Sequence, residues 1–254
     1  MSTSESEGVT KDHPEPEGGR GMVPARPEAK PAFGARALVV ALLVALASAG
    51  VGWVLGDALR VAEVVDEDEF YGGAELSVPL ATRNGAVGYA TLGAVLSLGL
   101  GVAASLLFGR RSIPGAVVAG LSGVVLGAAA GAASSYGLFP VYFNRMESAD
   151  VTLSVLIHLG VWSALGAAAG LAFGIGTGSR PMIARALVGG IVGAGLGTVL
   201  FDLSGSLFPL AHTERPLSDL TGTRLAGNLL LGLCVAAGIV VVASQEPKAS
   251  VKKA

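Results

Sequence analysis

The sequence predicts an all-α fold, a polytopic transmembrane helix bundle of six spans with glycine-zipper packing. Three observations predict it. Hydrophobic residues make up 52% of the chain and charged residues only 14%, a balance that soluble domains seldom show. The charges are separated from six apolar segments, each long enough to cross about 30 Å of hydrocarbon. Within several of these segments glycine recurs every four residues.

The first three predicted spans cover residues 37–59, 86–108 and 116–139. The first contains Ala47-Ser48-Ala49, a pattern of small residues that is typical of the end of a signal peptide. A long charged leader precedes it and the apolar run continues to residue 59, so a retained anchor is favoured over cleavage, which would leave five spans. The third span lies between Pro114 and Pro140, and proline is common at a helix start and just beyond its end.

The last three predicted spans cover residues 153–174, 186–208 and 225–242. The fifth is framed in the same way, by Pro181 and Pro209. No predicted span is interrupted by an internal proline. This weakens a transporter interpretation, because the binding sites of many transporters are built from interrupted helices.

Nine glycines form three series at a spacing of four residues within the third, fourth and fifth spans. Residues four apart share one helix face, so each series makes a groove in which a second helix can approach backbone to backbone. A groove that faced lipid would gain little, so the grooves also suggest a homo-oligomer or a complex with another membrane protein. The glycines predicted to pack helices are Gly123, Gly127, Gly131, Gly166, Gly170, Gly174, Gly189, Gly193 and Gly197.

Lysine and arginine are distributed unevenly between the two sides of the predicted membrane. With the N-terminus inside, twelve of the 17 lie on the cytoplasmic side, where positive charge is retained. The sequence therefore predicts a bacterial inner-membrane protein with both termini in the cytoplasm. We expect residues 1–36 to form a disordered cytoplasmic tail. Residues 37–243 are predicted to form the membrane domain, and residues 244–254 are predicted to form a short basic tail.

The spans also match one another in sequence. Ala35-Arg36-Ala37-Leu38-Val39 opens the first span and Ala184-Arg185-Ala186-Leu187-Val188 opens the fifth. Leu138-Phe139-Pro140 ends the third span, and Leu207-Phe208-Pro209 ends the fifth. These matches predict an internal repeat of three parallel helical hairpins about an axis along the membrane normal. Such repeats are common in transporters, but they can build any membrane bundle.

A polar layer is predicted near the outer edge of the bundle. Asp202 and His158 both lie about 8–9 Å below that edge at 1.5 Å per residue, and an ionisable residue in a span is by default a functional hypothesis. Their spans are consecutive and antiparallel, so the two side chains can meet. The same layer holds Ser134, Ser135, Tyr136 and Asn228.

Two interpretations compete for this candidate polar site. In the first, Asp202 and His158 satisfy one another and the layer is structural. In the second, the layer lines an outward-facing cavity that binds a proton, a cation or a small polar solute. A continuous cavity that reaches these residues would favour the second.

One local pattern resembles a catalytic motif. Gly120-Leu121-Ser122-Gly123 resembles the GxSG nucleophile motif of rhomboid intramembrane proteases, and His158-Leu159-Gly160 resembles their general-base segment. The resemblance implies Ser122 as nucleophile and His158 as base, which must lie within hydrogen-bond reach. Ser122, however, lies about 12 Å into its span from the cytoplasmic side, and His158 lies near the opposite face on an adjacent antiparallel span. An intramembrane protease therefore stays a remote alternative, and no catalytic residue is predicted.

The other sequence features predict no metal site and no cofactor. Asp66-Glu67-Asp68-Glu69 lacks the ligand spacing of an EF-hand and indicates a solvated acidic loop. A net charge of −2 argues against a nucleic-acid partner. We therefore expect a non-enzymatic integral membrane protein whose surroundings are the lipid bilayer and whose role is packing, assembly or partner binding. A small transporter or channel is the alternative.

Overall fold

The computed structural model describes residues 34–61, 78–109, 112–145, 151–207, 213, 216–218 and 220–245. All six helices in this part of the chain are long and apolar enough to cross a membrane, which confirms the predicted all-α, six-span fold. The acidic loop and most of both predicted tails lie outside the described residues. The helices are α1 (Ala35–Ala58), α2 (Val78–Leu107), α3 (Ile113–Phe143), α4 (Val151–Thr177), α5 (Arg180–Leu207) and α6 (Thr221–Ser244).

Several helix boundaries differ from the predicted ones. Helix α2 begins at Val78 and not at residue 86, because a helix can continue beyond the apolar stretch that crosses the hydrocarbon. Helix α3 runs through Pro140 to Phe143, so the predicted end at residue 139 was wrong. Proline removes one backbone donor, but in the last turn the loss is small, and the Pro140 carbonyl still accepts from the Asn144 amide at 2.9 Å.

The six helices close into a ring. Consecutive helices pack side by side, and α6 returns to pack against α1. Helix α2 also packs along α4 across the interior, whereas α6 touches both of them only slightly. Each predicted hairpin is therefore a neighbouring pair, but the interior is not threefold, and the internal repeat stays a prediction.

Helices α2 and α3 are in close contact through glycines. Gly123 of α3 lies against the backbone of Ser97, and Gly127 lies against Gly93. A Cβ atom at Gly123 would lie only 2.6 Å from the Ser97 carbonyl oxygen, so a larger residue would force the helices apart. In a bilayer, where lipid is as apolar as leucine, such close van der Waals packing is a main source of helix association.

The other predicted packing glycines face neighbours within the same chain as well. The α4 series meets α5, and the α5 series meets α6 and the side chain of Trp162. No lipid-facing groove is left by these nine residues, so homo-oligomerisation stays a prediction without that support. The contacts are Gly131 with Tyr89, Gly166 with Gly190, Gly170 with Ala186, Gly174 with Ile183, Gly189 with Gly238, and Gly193 and Gly197 with Cys234.

An aliphatic core separates the two ends of the bundle. We call the end where α1, α3 and α5 finish the upper end, and the opposite end the lower end. Between them lies a core of fully buried aliphatic side chains from α2, α4 and α6. Its central members are Leu92, Leu96, Leu100, Leu165, Leu231 and Val235.

Candidate functional site

His158 of α4 and Asp202 of α5 lie in direct contact near the upper end. The His158 Nδ1 atom is 3.1 Å from the Asp202 Oδ1 atom. Their side chains are only 3% and 12% exposed. With an ionised carboxylate as the acceptor, Nδ1 carries the proton and donates it. The pairing fixes the orientation of the imidazole ring.

Aromatic rings pack around this pair. The Phe201 ring stands edge-on to the His158 ring at 5.5 Å between centroids, and the Trp162 ring is tilted against Phe201 at 5.3 Å. Edge-to-face and offset contacts at these distances are favourable. The three rings come from α4 and α5 and fill the space between these two helices at this level.

A cavity lies beside these rings at the upper end, enclosed by α1, α2, α4, α5, α6 and the segment 216–218. Its volume is about 40 Å³, which is space for roughly three water molecules on a scale where one water needs about 10–15 Å³. Most of the lining surface is apolar, but ten of the lining residues carry polar or charged groups. These are Trp53, Asp57, Arg60, Tyr89, His158, Trp162, Ser218, Thr223, Arg224 and Asn228.

An ion pair joins α1 and α6 at the mouth of the cavity. The Arg224 Nη2 atom donates to Asp57 Oδ1 at 2.6 Å, and Arg60 Nη1 lies 3.7 Å from the same oxygen. Arg224 also donates through Nη1 to the Ser218 carbonyl at 2.9 Å. One guanidinium therefore ties two helices to the segment that covers the cavity.

The covering segment is also held from below. The Tyr89 hydroxyl of α2 donates to the Pro216 carbonyl at 2.8 Å, and this contact joins residues far apart in the chain. A second polar contact fixes the end of α1, because the Asn84 side chain accepts from the Val61 amide at 3.1 Å and donates to its carbonyl at 3.0 Å. The cavity is thus bounded by a hydrogen-bonded frame.

Two indole donors in the lining are buried without an ordinary hydrogen bond. Nε1 of Trp53 and Nε1 of Trp162 have no acceptor of normal geometry among the described residues, and Trp162 as a whole is 2% exposed. The Tyr89 hydroxyl is near enough to Trp162 to interact with it. That contact does not meet the geometry of a formed hydrogen bond, and the hydroxyl gives its own proton to Pro216. A buried donor left in this state costs about 1–3 kcal/mol.

The predicted polar layer divides into two parts. Asn228 lies in the cavity lining together with His158. The three α3 residues of the layer do not line it. Ser134 and Ser135 donate to carbonyls of their own helix, at 2.6 Å and 2.8 Å, and Tyr136 is 58% exposed. These positions share a depth with the site, but α3 lies on the outside of the bundle at this level.

Sequence reasoning missed both tryptophans and counted Arg60 and Arg224 only among the five basic residues on the non-cytoplasmic side. The spacing of the tryptophans could have identified them. Trp53 precedes Asp57 by four residues, and Trp162 follows His158 by four, so each pair shares one helix face. An indole one turn from an ionisable residue, on two spans at similar depth, points to a common polar pocket.

Ser122 is far from His158 along the bundle axis. Its neighbour Gly123 packs against Ser97, while Gly131, two series positions higher on α3, packs against the cavity residue Tyr89. The eight residues between Gly123 and Gly131 correspond to about 12 Å of helix. The two motifs that resemble those of rhomboid proteases therefore lie at different levels.

The described residues contain no group of three or more His, Cys, Asp or Glu side chains that could hold a metal ion. Comparison with protein families, with curated proteins and with solved structures found no match.

Proposed function

We propose that this multi-pass membrane protein is non-enzymatic and binds a small polar solute in the cavity at its upper end. The observation that carries the proposal is the pair of buried indole donors, Trp53 and Trp162, in two residues that line a partly open cavity with charged groups at its mouth. The Nε1 atoms themselves have almost no accessible surface, so we propose that the indole rings shift on binding and donate to the solute, which removes the cost of leaving these donors unsatisfied. With the topology favoured by the basic residues, the cavity faces the outside of a bacterial inner membrane.

Entry from the upper end is supported by the exposure of the mouth residues. The Asp57 side chain is 37% exposed and that of Arg60 is 25% exposed, whereas Trp162 and His158 below them are almost fully buried. Exposure therefore falls along one direction, from the mouth to the His158–Asp202 pair. A solute would lose its hydration gradually along this gradient.

Binding is favoured over passage through the bundle. Below the cavity the space between the helices is filled by Leu92, Leu96 and Leu165, all fully buried. Transport is the second candidate function, and the buried ionisable pair His158–Asp202 is the observation that favours it. Flux would require the aromatic rings and this leucine layer to move apart.

The proposed site can be tested by filling it. Gly88 lines the cavity, and a Cβ atom built there meets no atom within 4 Å. We expect Gly88→Leu to fold and to abolish the thermal stabilisation that a polar solute confers on the purified wild-type protein. The measurement is the unfolding temperature in detergent across a panel of small anions, cations and neutral polyols, since a ligand that binds the folded state raises it.

Gly137→Leu is the matched control. Gly137 also has open space around its Cβ position, and it is exposed on α3 away from the cavity, so this variant should respond to solutes as the wild type does. If no solute in the panel stabilises the wild-type protein, or if Gly88→Leu responds fully, the proposed function is wrong and water is the occupant.

A further inference from the structure

We infer that the upper cavity selects a small carboxylate anion, an assignment that rests on the proposed function and narrows it to one ligand class. The inference depends on the chemistry of the lining groups, on the ion pair already present at the mouth, and on the size of the space.

Among the polar groups of the lining, hydrogen-bond donors and positive charge outnumber negative charge. An indole Nε1–H can only donate, and both indole donors lack an acceptor of normal geometry. Arg60 and Arg224 bring two guanidinium groups, whereas Asp57 is the single acid in the lining. An acceptor-rich anion therefore complements this surface.

The position of Asp202 argues against a cation in the cavity. Its carboxylate contacts the imidazole of His158 through Oδ1, and Asp202 is not among the lining residues. A hard cation needs a shell of several oxygen ligands. The lining offers one carboxylate, and that carboxylate is bound to Arg224.

At the mouth of the cavity a guanidinium already binds a carboxylate. The Arg224 Nη2 atom donates to Asp57 Oδ1 at 2.6 Å, and its Nη1 atom donates to the Ser218 carbonyl in the covering segment. The planar guanidinium fork matches the two oxygens of a carboxylate. A ligand carboxylate that passes this point can exchange with Asp57 on Arg224 and continue to the indole donors below.

The volume sets the size of the ligand. About 40 Å³ accommodates roughly three water-sized groups, which is the number of heavy atoms in a carboxylate group. The carboxylate group of acetate or propionate therefore fills this space, and the alkyl carbons extend toward the open mouth of the cavity. Acetate and propionate are therefore the probes of choice.

Intrinsic fluorescence reports on this cavity without any label. The chain has two tryptophans, and both line the cavity, so a ligand that contacts them changes the whole tryptophan emission. The experiment titrates the purified full-length protein in detergent with sodium acetate and sodium propionate. Sodium chloride at matched ionic strength, methylammonium chloride and glycerol serve as comparison solutes.

We expect a saturable emission change with both carboxylates and none with methylammonium. Arg224→Gln should weaken carboxylate binding at least about tenfold, because a charge-assisted contact is lost. Arg224 also joins α6 to α1, so Arg224→Gln can lose binding through misfolding, and a second variant tests the site independently. Trp162→Phe keeps an aromatic ring, removes one donor, and should weaken binding severalfold as reported by the remaining Trp53.

Arg185→Gln is the matched charge control. Arg185 lies at the lower end, where its Nη1 atom donates to the Gln245 carbonyl, so its loss should leave carboxylate binding unchanged. A saturable response to methylammonium or glycerol without one to carboxylates would overturn the anion assignment and leave the solute site standing. A wild-type emission that responds to none of these solutes would overturn the assignment. The unfolding-temperature panel then decides separately whether the solute site itself fails.

Discussion

The lower and upper parts of the contact between α4 and α5 use different kinds of side chain. In the lower part, Gly170 brings the α4 backbone close to the backbone of Ala186 in α5. In the upper part, the rings of His158 and Trp162 from α4 pack against the ring of Phe201 from α5. Glycine allows the smallest interhelical distance that the backbone permits, whereas rings occupy the space between helices. The cavity lies beside the ring-packed part of this contact.

The largest effect is expected from adding a methyl group to the glycine-packed region. Gly127→Ala would place a Cβ atom against the Gly93 carbonyl oxygen, and backbone cannot rotate away as a side chain can. We expect a loss of about 1–3 kcal/mol in the free energy of unfolding, measured by denaturation in mixed micelles.

Gly137→Ala is the control for this substitution, because its Cβ position is open. It should leave the stability unchanged or raise it slightly through better helix propensity. Equal stability of the two variants would contradict the role assigned to close backbone contact at glycine.

A smaller effect is expected from the His158–Asp202 pair at the upper end. A double-mutant cycle with His158→Gln and Asp202→Asn should give a coupling of about 0.6–1.7 kcal/mol, the range measured for polar side-chain contacts within membrane bundles. The measurement is the same denaturation. Ser134→Ala combined with Asp202→Asn should be additive, since the Ser134 hydroxyl bonds within its own helix. A coupling near zero for the first cycle would show that this contact does not stabilise the upper end.

The smallest effect is expected from the hydrogen bond that holds the covering segment. Tyr89→Phe removes the donor to the Pro216 carbonyl and should cost about 0.5–1.5 kcal/mol. The change should appear locally, as faster hydrogen exchange of the amides of Leu217 and Ser218, with core amides of α2 unaffected. Tyr136→Phe, at an exposed position on α3, should leave this exchange rate as it is in the wild type.

Much of the fold was predictable because membrane spans are encoded locally. The length of each apolar run requires a helix, since a bilayer offers no partner for unsatisfied backbone groups. The boundaries were less predictable. The second span was predicted to begin at residue 86, yet Arg83 and Asn84 already lie in α2. Asn84 is buried, and its side chain forms two hydrogen bonds with the Val61 backbone. The hydrophobic periodicity of the sequence does not identify this partner.

The candidate site was predictable in part. Depth along each span placed His158 near Asp202, and the structure has them in contact. Depth also placed Tyr136 in the same layer, but depth says nothing about which way a helix face points in the bundle. The face of α3 that turns inward carries its glycines, and so Tyr136 points away from the cavity.

The six-helix membrane bundle could be predicted from chain length, apolar runs and glycine spacing, because these act through the geometry of single helices. The set of polar groups that share the cavity could not be predicted in this way. Trp53, Tyr89, Trp162 and Arg224 come from four different helices and meet because α1 closes against α6 while α2 packs along α4. That meeting depends on helix rotation and ring closure, which arise from contacts between distant parts of the chain.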